Sequence, residues 1–422
     1  MELYPHQKRA LELSRGRRRV AYYHDMGLGK TYTGAAKLDE MGERVNLVVC
    51  QHSKIGDWLE HFKANYPHCR TVDLTKATGA DYFVDAARCG VEQRCVGVIN
   101  YDLVFRRPAL ARCPVGTLLL DESSVIQNEC AKRSKAVLSI KAGNCILLSG
   151  TPTGGRYERL WSQCRLLGWG ISKEMFWNQY VDWEWRDDGS GRYDRAVKGY
   201  KNVERLKRKL AEHGAQFLRT EDVVDLPRQT FQSVRVPATP EYRAFARDGV
   251  VEAFGREFVG ANPLTKMTGE RRLCGVYNDA KMAAMRDLLD STDGRLVVFY
   301  NFAEEFDALE GLAAESGRPV SAVNGLRKDL SAYEAREDSV TLVQYQAGAM
   351  GIDLQKSNAT VFFTPPLGSE LYEQSKKRIH RIGQGRACFY YRLTVAGSVE
   401  ERIYASLAMR RDYSEALFER GA

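Results

Sequence analysis

The sequence lacks a long apolar run, which argues against an integral membrane protein. No stretch approaches the roughly 18 consecutive apolar residues that a membrane-spanning helix needs. Residues 1–20 are polar and rich in arginine, so they do not resemble a signal peptide with its apolar centre. We therefore expect a cytoplasmic protein with no membrane among its partners.

Paired cysteines are also missing. The ten cysteines include no C-x-x-C pair, and this argues against a structural zinc site. His61, His68 and Cys69 are the nearest approach to a metal-binding cluster, and no second pair of ligands accompanies them. Cys50 and Cys145 lie inside apolar segments, where cysteine packs as a small hydrophobic residue. This usage fits a reducing compartment.

Length, composition and charge give the broad class. A chain of 422 residues is too long for one hydrophobic core and predicts two domains, with room for an insertion. Apolar residues make up 44% and charged residues 27%, as in an ordinary soluble protein. The net charge of +8 and the pI near 8.9 favour a polyanionic partner such as nucleic acid.

Residues 24–31, His-Asp-Met-Gly-Leu-Gly-Lys-Thr, are the most informative stretch. An apolar run precedes them and a helix-like run follows, which is the context in which a loop wraps a polyphosphate. Gly27, Leu28 and Gly29 would turn their N–H groups toward the phosphates. Lys30 would neutralise the β and γ oxygens, and the Thr31 hydroxyl would bind Mg²⁺. The alternative is an ordinary glycine-rich turn, because His24 stands where the P-loop consensus has its first glycine.

Two more features of the first half fit a nucleotide site. Apolar strands are predicted at 45–50, 95–100, 117–120 and 145–148, each followed by a polar turn. Ligands of open α/β sheets lie outside the carboxyl ends of the strands. There Asp121 would hold Mg²⁺ through water and Glu122 would polarise the attacking water. Gln7 could read the adenine edge with its amide, although a solvated helix residue is the alternative.

The middle of the chain breaks this rhythm. Residues 154–226 contain five of the six tryptophans, which favours helices packed on one another over aromatics that stack on bases. Basic residues at helical spacing predict a charged helix face, either solvated or in contact with phosphates. These residues are Lys198, Lys201, Arg205 and Arg208.

The second half restarts the sheet. Strands are predicted at 295–300, 339–345, 359–364 and 388–395. Small residues would let the backbone approach phosphates in the segment that starts at Gln346, continues with Ala347 and Gly348, and ends at Gly351. Asp353 could meet the nucleotide or an arginine. Further residues for the site are Arg378 and Arg381, whose i, i+3 spacing would place both guanidinium groups on one helix face.

Together these motifs resemble one family. Residues 25–31, 121–124 and 149–152 look like motifs I, II and III of superfamily-two helicases, and 346–354 and 374–384 look like motifs V and VI. The form Asp-Met-Gly-Leu-Gly-Lys-Thr is typical of the Swi/Snf-type helicase-like ATPases. The resemblance runs from Gln7 to about Leu407, which implies a minimal, motor-only member of the kind found in phage and bacterial genomes or phage-infected cells.

The resemblance implies an α/β fold with two tandem RecA-like parallel-sheet lobes, a helical insertion and an ATP site in the interlobe cleft. It implies ATP and Mg²⁺ as cofactors, and Arg378 and Arg381 as arginine fingers. The predicted domains are a first lobe at 1–153, a helical insertion at 154–232, a helical linker at 233–290 and a second lobe at 291–422. The implied DNA contacts are Ser53, Lys54, Asn100, Asn128, Thr151, Asn301, Gln346, Ala347 and Gly348.

Motif II departs from the family pattern. The family has Asp-Glu-Ala-His, whereas this chain has Ser124 at the place of the histidine. The Lys-Asn that commonly follows is Gln127-Asn128, which removes one cation from a DNA contact. A change in the coupling of ATP to DNA is therefore expected.

Three functions remain open at this point. The first is a monomeric, DNA-dependent ATPase that translocates along duplex DNA, with backbone contacts dominating. The second is a strand-separating helicase in replication or repair. The third is an ATP-driven clamp or adaptor that recruits a replisome or nuclease partner, an interpretation that the Ser124 departure keeps open.

Overall fold

The computed structural model describes residues 2–187, 193–348 and 352–418. The chain forms two compact units, one of residues 1–223 with 412–422 and one of residues 224–411. Among the described residues, no helix is both long and apolar enough to cross a membrane.

The first unit is built on parallel β-strands. Its strands are β1 (Arg19–His24), β2 (Val45–Cys50), β3 (Arg70–Asp73), β4 (Cys95–Asn100), β5 (Val115–Asp121), β6 (Ala142–Leu148), β7 (Val181–Asp187), β8 (Tyr193–Tyr200) and β9 (Ala215–Leu218). Its helices are α1 (Pro5–Leu13), α2 (Lys30–Met41), α3 (Ile55–Asn65), α4 (Ala77–Cys89), α5 (Tyr101–Val104), α6 (Pro108–Arg112), α7 (Lys132–Ser139), α8 (Trp161–Leu166), α9 (Lys173–Tyr180) and α10 (Val203–Glu212), with 3₁₀ turns at His52–Lys54, Ser123–Ile126 and Tyr157–Leu160.

Seven of these strands form one sheet in the order β3-β4-β2-β5-β6-β1-β9, and all its strand pairs are parallel. Both faces of a parallel sheet are covered, so its central strands are largely apolar and buried, as in β2, where all six residues are buried. Successive side chains alternate between two cores: Val20 and Tyr22 pack on one face, Ala21 and Tyr23 on the other. Because the strands are parallel, their carboxyl ends share one edge.

The second unit repeats this plan. Its strands are β10 (Gln229–Val236), β11 (Val250–Ala253), β12 (Arg256–Val259), β13 (Leu296–Tyr300), β14 (Val320–Val323), β15 (Lys328–Asp329), β16 (Val340–Gln344), β17 (Ala359–Phe362) and β18 (Cys388–Val395). Its helices are α11 (Pro240–Asp248), α12 (Pro263–Cys274), α13 (Asp279–Asp290), α14 (Ala303–Glu315), α15 (Ser331–Ala335), α16 (Tyr345–Gly348), α17 (Ser369–Lys376) and α18 (Val399–Phe418), the last of which passes the boundary at residue 411. The sheet order is β10-β18-β17-β13-β16-β14-β15, parallel except for β14 with β15. The predicted fold class, two parallel-sheet α/β lobes, is confirmed.

The region predicted as a helical insertion is not helical throughout. It contains the antiparallel hairpin β7–β8, and its later strands β9 and β10 join the first and second sheets. The alternation of Val181, Trp183 and Trp185 with polar residues explains the hairpin, because aromatic and β-branched residues suit a pleated strand. The predicted linker at 233–290 likewise contains a hairpin, β11–β12.

The predicted basic helix face is wrong for half of its members. Lys198 lies on β8 and Lys201 follows that strand, whereas Arg205 and Arg208 lie on α10. Pairing of residues 193–200 with β7 replaces the helix there. The four cations therefore do not share one helix face.

Candidate nucleotide site

The glycine-rich loop follows β1 and ends where α2 begins. Gly29 is the N-cap of α2 in the left-handed region at φ 68°, and Gly27 has φ 85°, conformations that glycine adopts without strain. A Cβ on Gly29 would lie 2.4 Å from the Gln7 side-chain nitrogen, so only glycine fits the close approach. The loop thus presents the N-terminus of α2, where free N–H groups and the helix dipole favour an anion.

Lys30 lies between the ends of two strands. Its Nζ donates hydrogen bonds to the carbonyl oxygens of His24, at 2.9 Å, and Asp25, at 3.1 Å. A Cβ on Gly150, just after β6, would lie 3.3 Å from the same Nζ. The structure therefore brings motifs I and III together around one ammonium group.

Asp121 is the last residue of β5 and is held from two directions. The Trp58 indole N–H donates to its Oδ2 at 2.8 Å, and the Tyr101 hydroxyl donates to its backbone oxygen at 2.9 Å. Burial raises the pKa of the Asp121 carboxyl above its ordinary value, while the Trp58 hydrogen bond lowers it. The positive charge of Lys30 acts in the same direction as the indole.

Glu122 is positioned by two hydroxyl groups. Its backbone has φ 56°, in the left-handed region, and its Oε1 accepts hydrogen bonds from Ser149 at 2.6 Å and Ser124 at 2.9 Å. Ser124, which stands where the resembled family has histidine, thus contacts the Glu122 carboxylate directly. Motif II is joined to motif III through this one oxygen.

The residues present fit a magnesium ion. Thr31 and Asp121 offer a hydroxyl and a carboxylate oxygen, and oxygen is the donor that Mg²⁺ prefers. Burial raises the pKa of the Asp121 carboxyl, and a bound cation would favour its charged form.

Gln7 supports the loop. It is 1% exposed, and its Nε2 donates to the carbonyl oxygens of Leu28 at 3.1 Å and Gly29 at 3.3 Å. Its Oε1 accepts from the Tyr4 N–H at 2.9 Å. Both ends of the amide are therefore engaged within the chain, and adenine recognition by Gln7 stays a prediction.

In the second unit, three predicted residues come together. Arg381 forms an ion pair with Asp353, and the Arg378 Nη1 donates to the Ile352 carbonyl oxygen at 3.3 Å. Both arginines lie on the turn after α17, which ends at Lys376, so the expectation that they share a helix face is wrong. Gly351 lies outside the described residues. The roles of these arginines toward ATP stay predictions.

Most of the predicted DNA contacts follow strand ends. Ser53 and Lys54 form the turn after β2, Asn100 ends β4, Thr151 follows β6, Asn301 follows β13, and Gln346, Ala347 and Gly348 lie on α16 after β16. Asn128 is exposed beyond motif II. The Ala347 side chain is buried, and the Asn301 amide donates to the Thr364 hydroxyl at 2.8 Å, so these two are engaged internally.

Sequence reasoning missed several residues that hold the site. Besides Trp58 and Tyr101, Gln163 is buried on α8, and its Nε2 donates to the Pro152 carbonyl oxygen at 2.8 Å. Its Oε1 accepts from the Ser123 and Tyr23 hydroxyls, each at 2.9 Å. The sequence offers little signal for Gln163, because its neighbours Ser162 and Cys164 do not mark the position as buried.

The histidine and cysteine cluster is only partly assembled. Asp39, His68 and Cys69 place possible ligand atoms within 4.8 Å of one another. Arg94 already forms an ion pair with Asp39, so a cation occupies the position that a metal would need. His61 instead packs edge-on against the Tyr32 ring.

Comparisons with known proteins agree with these motifs. The profile of the SNF2-related domain matches residues 6–247, and that of the helicase conserved C-terminal domain matches residues 280–383. A mouse SWI/SNF-related, matrix-associated, actin-dependent regulator of chromatin (subfamily A member 1) is 24% identical over 92% of this chain. This chain spans only 40% of that mouse protein.

Two further relatives are of similar size to this chain. A protein of Orgyia pseudotsugata multicapsid polyhedrosis virus, named as a global transactivator, is 24% identical over 100% of this chain and 92% of its own. The Sulfolobus solfataricus SWI2/SNF2 ATPase core, solved in complex with dsDNA, is 20% identical over 98% of this chain and 92% of its own, with a TM-score of 0.45.

The first profile alone covers more than half of the chain, and it includes the loop, the Asp121-Glu122 pair and Ser149. The chain therefore belongs to the SNF2-related family and is a helicase-like ATP hydrolase.

Proposed function

We propose that this ATPase is DNA-dependent and couples ATP hydrolysis to movement along double-stranded DNA. The observation that carries the proposal is the joining of Glu122 to Ser149 beside Lys30. It links the residues expected to act on ATP to the turn that carries Thr151, a predicted DNA contact. A change at the nucleotide could therefore reach the turn that carries this predicted contact through one hydrogen bond.

Each residue has a proposed task in hydrolysis. The N–H groups of the loop and the Lys30 ammonium bind the β and γ phosphates. Thr31 and Asp121 would hold Mg²⁺, which neutralises phosphate charge when bound. Glu122 orients and polarises the attacking water. The two serine hydroxyls fix which way its carboxylate points.

Two observations support DNA as the polyanionic partner. The net charge of +8 favours binding to phosphates. The polar residues 53 and 54, which follow β2, lie at the same sheet edge as the loop. Contacts of this kind are mainly to the DNA backbone and carry little sequence information.

The test is ATP turnover without DNA and with single-stranded, duplex or forked DNA. We expect duplex DNA to raise kcat severalfold. Lys30→Ala and Glu122→Gln should abolish turnover while circular dichroism stays unchanged, because both residues are only half-buried. A wild type whose turnover ignores DNA would refute DNA dependence. Turnover that begins only after a partner protein is added would favour the adaptor function instead.

Strand separation is the second candidate, and the hairpin β7–β8 favours it. Trp185 is 59% exposed and Tyr193 is 65% exposed, so the hairpin offers aromatic rings on which unpaired bases could stack. Release of a labelled strand from a forked duplex would support this activity. Movement on duplex DNA without strand release would support translocation alone.

A further inference from the structure

The Asp121 carboxylate is fixed by an indole from a distant part of the chain. We propose that Trp58 is a positioning residue for ATP hydrolysis, because it determines which oxygen of Asp121 is presented to the metal. The proposal rests on the function proposed above, in which Asp121 holds Mg²⁺. Trp58 itself touches neither ATP nor the metal in this scheme.

The position of Trp58 follows from the sheet order. Trp58 lies on α3, which follows β2, and β2 is the direct neighbour of β5 in the sheet. The indole is 1% exposed and stacks on the Phe62 ring, with the two centroids 5.7 Å apart. Packing therefore leaves the ring one orientation, in which its N–H points at the end of β5.

The hydrogen bond meets two needs at once. A buried indole N–H requires an acceptor, and a partly buried carboxylate is stabilised by donors or a cation. The 2.8 Å bond from Trp58 meets both and is charge-assisted, so it is stronger than a bond between neutral groups. It engages Oδ2 of Asp121, so Oδ1 is the oxygen that would bind Mg²⁺ or its water.

The main chain at Asp121 is held separately. The Tyr101 hydroxyl, on α5, donates to the Asp121 carbonyl oxygen at 2.9 Å. Because Tyr101 fixes the backbone, rotation of the Asp121 carboxylate is the freedom that remains. The Trp58 indole restricts that rotation. Groups that orient metal ligands in this way change metal affinity or activity about 10- to 100-fold when removed.

Phe62 provides a matched control. It lies one turn after Trp58 on α3, is fully buried in the same core, and is purely apolar. Trp58→Phe removes the N–H and keeps a ring, whereas Phe62→Leu perturbs the same packing and leaves the hydrogen bond in place. A role in packing alone would give both variants the same phenotype.

The experiment measures binding of a fluorescent ATP analogue in Mg²⁺ and in EDTA. We expect Mg²⁺ to increase the affinity of the wild type and of Phe62→Leu for the analogue. In W58F this increase in affinity should be about tenfold smaller. In turnover, W58F should lower kcat more than it changes KM for ATP at saturating Mg²⁺. Thermal unfolding should place both variants at similar, slightly lowered melting temperatures.

The outcomes separate this proposal from the one on which it rests. If Mg²⁺ does not tighten binding by the wild type, the metal role of Asp121 is wrong. If the wild type shows the gain and W58F keeps it, the positioning role is overturned.

A measurement on the wild type covers the case in which W58F does not fold. In protein labelled with ¹⁵N at the indole nitrogens, we expect one indole N–H signal to shift with the Mg²⁺–nucleotide complex and not with nucleotide in EDTA. If no indole signal distinguishes the two, the proposal is wrong.

Discussion

At the scale of single residues, the Glu122 carboxylate shows how the chain accommodates a serine where its family has histidine. Ser124 and Ser149 donate to the same Oε1, and both serines are buried. A serine hydroxyl does not titrate near neutral pH, so this arrangement holds Glu122 in the same way across the physiological range. In this chain two neutral hydroxyl groups therefore hold the Glu122 carboxylate, one of them at the position of the family's histidine.

This network predicts unequal effects of two alanine variants. Ser149→Ala removes the 2.6 Å bond and should lower kcat about tenfold with KM for ATP nearly unchanged, since a hydrogen bond to a charged group contributes roughly 1.5–3 kcal/mol. Ser124→Ala removes the 2.9 Å bond and should cost less. Because both bonds end on one oxygen, the double variant should deviate from additivity.

Ser139→Ala is the matched control. That hydroxyl also donates a hydrogen bond, to the Ala136 carbonyl oxygen at 2.7 Å, but it is exposed at the end of α7. Steady-state kinetics on the two single serine variants, their double variant and Ser139→Ala would test the role of the two hydrogen bonds. Equal kcat values for Ser149→Ala and the control would contradict the role assigned to Ser149.

At the scale of elements, Glu305 ties the start of α14 to two strands. Its Oε2 accepts hydrogen bonds from the N–H groups of Asn301 at 2.8 Å and Phe302 at 3.1 Å, and from the Thr364 hydroxyl at 3.0 Å. Asn301 follows β13 and Thr364 follows β17. Burial raises the pKa of this carboxyl to about 7, even though these hydrogen bonds lower it.

The raised pKa predicts a pH dependence of stability. Between pH 4.5 and about 7 the folded state holds the proton more tightly than the unfolded state. The stabilisation is therefore complete below pH 4.5 and is lost as the pH rises through 7. Glu305→Gln should remove this pH dependence. The total change in the free energy of unfolding across the range is on the order of 3 kcal/mol.

Urea unfolding of the second unit, followed as one transition between pH 4 and 8, would measure how its free energy of unfolding depends on pH. Glu315→Gln, at the exposed far end of α14, serves as the control and should leave the slope as in the wild type. A wild type and a Glu305→Gln variant with parallel curves would show that this carboxyl titrates normally.

Elements were predictable where periodicity is strong. The strands at 45–50 and 95–100 are six-residue apolar runs buried at every position, and their predicted bounds match. By contrast, β3 (Arg70–Asp73) and β14 (Val320–Val323) are four residues long, too short for alternation to be recognised. The hairpin β7–β8 was missed because its tryptophans were attributed to a helical core.

The residues of the candidate site likewise divide into those that the sequence predicts and those that depend on the fold. The loop and the Asp121-Glu122 pair are contiguous motifs, so sequence alone was enough to find them. Trp58 is 63 residues from Asp121, and its contact exists only because β2 and β5 are neighbours in the sheet. Strand order is a tertiary property, and a pattern within one segment does not contain it.

At the scale of the whole molecule, charge distribution should govern the proposed interaction with DNA. The 62 lysines and arginines exceed the 54 acidic residues, yet many cations are already paired within the chain. Lys54, a predicted DNA contact, lies 2.7 Å from the Asp57 carboxylate. Cations in such internal ion pairs are less available to phosphate, so binding should release fewer counterions than the number of lysines and arginines alone suggests.

This argument predicts a measurable salt dependence. The affinity for duplex DNA should fall as the salt concentration rises, with a slope set by the number of phosphate contacts. Basal ATP turnover without DNA, measured at saturating ATP, should change little over the same range, because kcat does not depend on how tightly ATP binds. Fluorescence anisotropy with a labelled duplex, at several sodium chloride concentrations, measures the slope.

Asp57→Asn distinguishes an internal ion pair from a DNA contact. Removing this carboxylate frees the Lys54 ammonium, which should tighten DNA binding at low salt and steepen the slope by about one counterion. Lys54→Ala should have the opposite effect, and Lys207→Ala, which breaks a similar i, i+3 pair with Glu204 on α10, should leave the slope unchanged. If Asp57→Asn and Lys54→Ala shift the slope in the same direction, Lys54 does not face the DNA.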